Sequence, residues 1–288
     1  MGKPSKIYQT MLLGLLSVLF LLPLIVTFTN SFMGEIEIAL NYSGKLSLFD
    51  LAEGISSAFI KLKLIPAEAT LKQYKSVLIS DPTFLVLLSN SIKLTVPVVI
   101  GNIIVSALAS YGFILWKFKY KEIIFYIYIT IMLMPMQAVL VPNFIAAGKL
   151  GIQESYLAII LPGVFSPFGT FLLRQNMKSI PKSYLESAEI DGASHISVFI
   201  NIVLPQMKSG IAALAMLTFI EYWNIVEQAI IFIKDYTKEP LSVYLSRIAE
   251  GRISIIFAAS CVYMAIPLWT LVFGREDLER GIEMSGVK

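Results

Sequence analysis

Histidine and cysteine are almost missing from this sequence, one residue of each in 288. A lone His195 excludes the H-E-x-x-H zinc-protease pattern and any two-histidine metal site within a single chain. Cys261 has no second cysteine with which to form an internal disulfide. Charge is scarce too: 15% of residues are Asp, Glu, Lys or Arg, against about 25% in soluble domains. The 23 basic and 20 acidic side chains leave a net charge of only +3, too balanced for a nucleic-acid-binding surface. Neither Gly44-Lys45 nor Gly148-Lys149 has the upstream glycine or the following Ser/Thr of a phosphate-cradling P-loop, so ATP is not bound here in that way. The G-x-S-G and G-x-G-D patterns of intramembrane proteases are absent as well.

What is abundant is apolar surface. Apolar residues make up 56% of the chain, and the mean hydropathy is +0.74. One soluble core cannot hide that excess, which points to an all-α polytopic membrane protein. A spanning helix needs about 20 apolar residues. Six of them fit this length with loops to spare, whereas the ~12 spans of a two-half secondary transporter do not.

Hydropathy divides the chain into an N-terminus (1–10), a first span (11–33), a mixed polar insert outside the membrane (34–84) and a core (85–275). Within the core the expected spans are 85–115, 122–142, 155–174, 208–233 and 253–274, with a loop at 178–206 and a tail at 275–288. The first run, Met11 to Phe28, is longer than the ~7–15-residue core of a signal peptide and leads into Thr29-Asn30-Ser31 without a small-residue cleavage pattern. It is read as a retained helix. Ser106, Ala107, Ala109, Ser110 and Gly112 form a small-residue stretch suited to close helix packing. Pro135 is expected to kink the third span. Lys117, Lys119 and Lys121, then Arg174, Lys178, Lys182 and Lys208, then Arg275, Arg280 and Lys288, collect on one side, whereas 142–155 holds only Lys149. The segment 234–252, on the other side, is less clean, with Lys234, Lys238, Arg247 and Arg252, but by the positive-inside rule the balance puts both termini in the cytoplasm, and a multi-pass protein of the plasma (inner) membrane is the expectation.

The longest stretch on the cytoplasmic side is 174–205. Pro181 suits the first turn of a helix, and Asp191-Gly192 signals a turn. A second amphipathic stretch follows, with Ile196, Phe199, Ile200 and Val203 expected on one side, and Leu204-Pro205 ends it. Two short helices about a glycine bend can be an interfacial anchor or an exposed element that docks into a partner's groove. Residue patterning leaves both open.

The run Glu186-Ser187-Ala188-x-x-Asp191-Gly192-Ala193, followed by Phe199, Ile202 and Leu204-Pro205, resembles the EAA loop of bacterial ABC importer permeases. Further matches lie in order along the chain: Leu71-x-x-Tyr74, Asn90-Ser91, Ser110-Tyr111-Gly112-Phe113, Met134-Pro135, Ile180-Pro181, Trp223-Asn224 and the tail glycines Gly281 and Gly286. Together they are similar to the carbohydrate-uptake branch, in particular to the second permease of maltose-type systems. Ser187 departs from the usual first alanine, and Gly210 stands where a proline often follows. The resemblance implies a type I importer permease fold with six spans and a cytoplasmic coupling helix. It implies three kinds of partner besides membrane lipid: a second homologous permease, two cytoplasmic ABC ATPases and an extracellular or periplasmic solute-binding protein. ATP and Mg would be bound by the ATPases, leaving this chain without a cofactor or enzymatic activity of its own. Glu186, Ser187, Ala188, Asp191, Gly192, Ala193, Phe199, Leu204 and Pro205 would couple to the ATPase, and Gly281 and Gly286 would place the tail against it. ATP-driven closure would then alternate access to the pathway for a sugar or related solute.

Glu221, Tyr222, Trp223, Asn224 and Glu227 fall in the fifth expected span. Intramembrane carboxylates are costly and mark pathways or partners. Aromatic rings beside acids and amides suit sugars, so these five are the candidate translocation pathway; a polar helix–helix contact is the plainer alternative. Two rival functions remain. An ion-coupled secondary transporter would use Glu221 and Glu227 to bind ions. A non-transporting scaffold would leave the polar fifth span unexplained.

Overall fold

A computed structural model describes residues 6–42, 63–80, 82–116, 119–248 and 253–285. The described regular elements are all helical. Four helices are long and apolar enough to cross a membrane: Tyr8–Asn30, Pro82–Leu115, Leu157–Lys178 and Ile255–Glu283. Two bent pairs raise the number to six if each counts as one span. The first pair, Lys121–Met132 and Met136–Lys149, meets at 100°. The kink expected from Pro135 is therefore a full break: Pro135 is extended (φ −63°, ψ 142°) and starts a new helix instead of bending one. The second pair, His195–Gln206 and Lys208–Trp223, meets at 74°.

The chain forms two compact units. One comprises residues 1–86 and 244–265. Its Lys6–Asn30 helix is apolar all round and exposed from Tyr8 to Ile25, as a lipid-facing helix is, and becomes buried at Asn30. The chain beyond it is held by specific contacts. Ser31 Oγ lies 2.7 Å from Tyr74 Oη, the Thr70 amide donates to the Phe32 carbonyl at 2.8 Å, and the Tyr42 ring packs on Phe257 at 5.2 Å. Farther out, Glu37 pairs with Lys63 at 2.7 Å and accepts the Ala67 amide at 2.8 Å. Lys63 and these hydrogen bonds hold the Glu37 carboxyl below the usual carboxylate range.

The other unit comprises residues 87–243 and 266–288. The Pro82–Leu115 helix supplies side chains to both of this unit's apolar clusters. Leu94 and Val98 join Ile159, Tyr222, Phe232 and Val243 in one; Ala107 and Tyr111 join Leu173, Val198, Met207 and Leu214 in the other. Between them runs a polar seam. Asn102 Nδ2 donates to the Gly163 carbonyl at 3.3 Å and to Thr218 Oγ1 at 3.5 Å; Ser110 Oγ donates to the Thr170 carbonyl at 2.8 Å. Ser106, Ala107 and Ser110 are buried, as close packing requires. Gly112 is not part of this packing: a Cβ there would meet only Trp116 of its own helix.

Candidate functional site: the 182–206 loop and the 221–227 segment

The loop is built by local chemistry. The Lys182–Ile190 helix ends at Gly192, whose φ of +72° is the left-handed conformation that glycine adopts without a Cβ penalty. The Ala193 amide returns to the Ala188 carbonyl at 3.0 Å and the Asp191 amide bonds Ser187 at 3.0 Å, the pattern of a glycine-closed helix end. Ser194 caps the next helix, its Oγ accepting the Ser197 amide at 3.3 Å. Ala188 is buried and Ala193 half-buried, whereas Glu186, Ser187, Asp191 and Gly192 are exposed.

The second arm corrects the expected apolar face. After His195–Val198 the backbone widens into a π-helix at Phe199–Val203. The altered repeat changes which side chains align. Val198 and Val203 are buried, with Phe199, Ile202 and Leu204 packed partly against them. Ile196 and Ile200 point outward, 73% and 52% exposed, so the expected grouping of 196, 199, 200 and 203 is divided between two faces. The Phe199 ring packs against Tyr111 at 4.9 Å, tilted by 38°, and Tyr111 Oη donates to the His195 carbonyl at 3.1 Å. Pro205 stays exposed. The outer surface of the loop therefore presents Tyr184, Ile190, Ile196 and Ile200.

The 221–227 segment is also rearranged. The Lys208–Trp223 helix stops before its expected end at 233 and resumes only at Glu227–Phe232. At the stop, the Ile220 carbonyl accepts both the Asn224 amide at 3.3 Å and Asn224 Nδ2 at 2.8 Å, a local side-chain bond at the helix end. The five candidate pathway residues consequently separate. Tyr222 and Trp223 are core residues, 8% and 1% exposed, with Trp223 stacked on Phe219 at 5.2 Å. Glu221, Asn224 and Glu227 are exposed. Gln137, on the helix that starts after the Pro135 break, donates to Glu227 Oε2 at 3.3 Å, and Gln228 reaches Met136 Sδ at 3.3 Å. The exposed polar residues are thus Glu221, Asn224, Glu227 and Gln137, of which Glu227 and Gln137 are in contact, and the aromatic rings are not among them. Gln137 carried no sequence signal, because its partner lies 90 residues away.

Gly281 is buried in its own chain, where a Cβ would come within 2.5 Å of the Ser209 carbonyl oxygen and 2.6 Å of Ala213. Its carbonyl accepts Asn176 Nδ2 at 3.2 Å. Gly286 lies outside the described residues. Gly210 is explained in the same place, since a Cβ there would sit 2.6 Å from Asn176 Cγ. Among the described residues no group of three or more His, Cys, Asp and Glu could hold a metal ion.

Residues 101–274 match the family of binding-protein-dependent transport system inner membrane components. The chain belongs to this family. The permease is 25% identical to the arabinooligosaccharides transport system permease protein AraQ of Halalkalibacterium halodurans over 232 residues, 80% of this chain and 83% of the relative. It is 30% identical to the polygalacturonan/rhamnogalacturonan transport system permease protein YtcP of Bacillus subtilis over 202 residues, 70% and 68% of the two chains. To the sn-glycerol-3-phosphate transport system permease protein UgpE of Pectobacterium atrosepticum it is 28% identical over 204 residues, 69% and 73%. Its fold is shared with a chain of a bacterial ABC transporter involved in the import of the acidic polysaccharide alginate, at a TM-score of 0.73 and 21% identity over 94% of this chain and 97% of the other. The permease is accordingly a multi-pass membrane subunit of a transport system, in a family whose role is not enzymatic.

Proposed function

We propose that this permease is one of two membrane subunits of an ATP-driven importer of a carbohydrate or related polyhydroxylated solute. Each bent helix pair then counts with one span, giving six spans with both termini cytoplasmic. Separate ATPase subunits hydrolyse ATP with Mg, a binding protein delivers the solute from outside, and the 182–206 loop couples the two. The observation that carries this reading is the loop itself. Gly192 (φ +72°) sets the turn between its arms, and Tyr184, Ile190, Ile196 and Ile200 stand exposed on its outer surface. Apolar side chains presented on short helices suit a partner's groove. Burial against Tyr111 and Leu173 ties the inner face to the spans, so a push on the loop is delivered to them. Carbohydrate as the solute class is supported by the saccharides named for relatives such as AraQ and YtcP. Glu221, Asn224, Glu227 and Gln137 are offered as the pathway's polar contacts.

Three experiments test the reading. With Cys261 replaced by serine, single cysteines at Ile36 and Ser194, both exposed, are challenged with an impermeant thiol reagent on intact cells. Only position 36 should react; labelling at 194 would overturn the topology. Gly192→Val should leave the complex in the membrane but abolish uptake and uncouple ATPase stimulation. Wild-type uptake would favour a passive interfacial anchor instead. An ionophore should leave uptake intact while ATP lasts, whereas an ion-coupled carrier would stop.

A further inference from the structure

Arg174 is the most completely buried charge in the described unit, 2% exposed at the C-terminal end of the Pro167–Lys178 helix. Its Nη2 donates to Glu122 Oε1 at 2.6 Å, and its guanidinium carbon lies 3.7 Å from the centre of the Phe125 ring. Its Nε has no hydrogen-bond partner. A buried guanidinium N–H left unmade is costly, so an acceptor there would be strongly held.

The arginine borders a cavity of about 400 Å³ between the ends of the spans and the 182–206 loop. Its lining mixes the cations Lys121, Lys178 and Arg174, the carboxylates Glu122 and Glu186, and hydrocarbon from Ile114, Leu115 and Val198. A small soluble anion would satisfy the cations and leave the hydrocarbon wet; an amphiphile satisfies both. Two neighbouring features point the same way. Trp116 follows the lining residue Leu115 and Tyr120 precedes the lining residue Lys121; both are exposed, 67% and 57%, as aromatic residues are at headgroup level. Ile123, Ile124 and Ile127, also exposed, lead away from Lys121 along the Lys121–Met132 helix and offer a track for an acyl chain.

We propose that this cavity is a binding site for an anionic phospholipid, with the phosphate on Arg174, Lys121 and Lys178 and the upper acyl carbons against Ile114 and Leu115. The proposal does not depend on which solute is carried. Because the site shares Leu185, Glu186 and Val198 with the loop, an occupied site also braces the loop against the spans.

The test uses the complete transporter in lipid nanodiscs of phosphatidylcholine with a minor fraction of phosphatidylglycerol. Native mass spectrometry reads the phosphatidylglycerol retained per complex. Lys121→Gln and Lys178→Gln should each lower retention about fivefold, the worth of one lysine near an anionic headgroup, and the double variant should lower it further. Lys238→Gln, a control with its side chain 57% exposed outside the cavity, should not change it. Arg174 is left intact, because removing it also strips Glu122 of its partner. Unchanged retention in the double variant would overturn the site. Displacement of phosphatidylglycerol from the wild type by excess inorganic phosphate would overturn the lipid assignment in favour of a soluble anion.

Discussion

The 182–206 loop and the 221–227 segment are both polar interruptions in an apolar chain, yet they are built by different means. The loop is closed by residues at its own turn: Gly192 at φ +72°, the Ala193-to-Ala188 bond and the Ser194 cap. The 221–227 segment is sorted by its surroundings, which bury Tyr222 and Trp223 and leave Glu221, Asn224 and Glu227 outside. Local rules make a turn held by its own residues. Tertiary sorting makes a wall in which adjacent residues do unrelated work.

The comparison breaks most sharply at Trp223. Trp223→Ala removes a buried, stacked indole and should cost about 3–5 kcal/mol, read as a large drop in the unfolding temperature of the detergent-solubilised complex. Asn224→Ala, next in sequence but exposed, should cost about 1 kcal/mol or less; equal losses at the two positions would mean that the segment is not sorted in this way. In the loop, Gly192→Val should impose about 1–3 kcal/mol of backbone strain and reduce uptake at least tenfold. Gly192→Asn, which tolerates positive φ and meets no neighbour within 4 Å, should keep most of it. If both fail equally, conformation is not what the glycine supplies. Glu227→Ala forfeits only the exposed contact to Gln137, so stability should change by about 1 kcal/mol or less. Uptake of radiolabelled solute should fall all the same, and wild-type uptake would remove Glu227 from the pathway. The smallest effect is on pH. The folded-state pKa of Glu37 is depressed, so its contribution is present above the unfolded value and is lost as pH falls through the folded one. The protection factor of the Ala67 amide, its exchange rate relative to the intrinsic rate at the same pH, should hold at neutral pH and fall on acidification, and Glu37→Gln should remove that dependence.

What was legible in the sequence follows the same division. The glycine turn and the two arms of the loop came from residues within a few positions of one another. The π-helix at Phe199–Val203 did not, because patterning assumes a fixed repeat, and Ile196 and Ile200 were therefore assigned to the wrong face. The helix stop at Trp223 contains no proline, and hydropathy passes over a single Asn224. Arg174 was visible only as a topological charge; nothing nearby in sequence announces Glu122, 52 residues away, as its partner. Gly281 illustrates the reverse case, a glycine whose position was noted for its spacing and whose reason is contact with Ser209 and Ala213.

The polar seam on the Pro82–Leu115 helix bears on how the protein is made. Asn102 finds its partners at Gly163 and Thr218, 61 and 116 residues later, so it enters the bilayer before either is synthesised. An unpaired amide in hydrocarbon is expensive. Ser106 sits one turn on and donates to Asn102 Oδ1 at 2.7 Å, a bond that forms as soon as the helix does. It covers the amide oxygen during insertion and leaves the NH2 group free to recruit Gly163 and then Thr218. The order of assembly is thus written into one side chain: the acceptor end is satisfied at once by its own helix, and the donor end waits for the helices that follow.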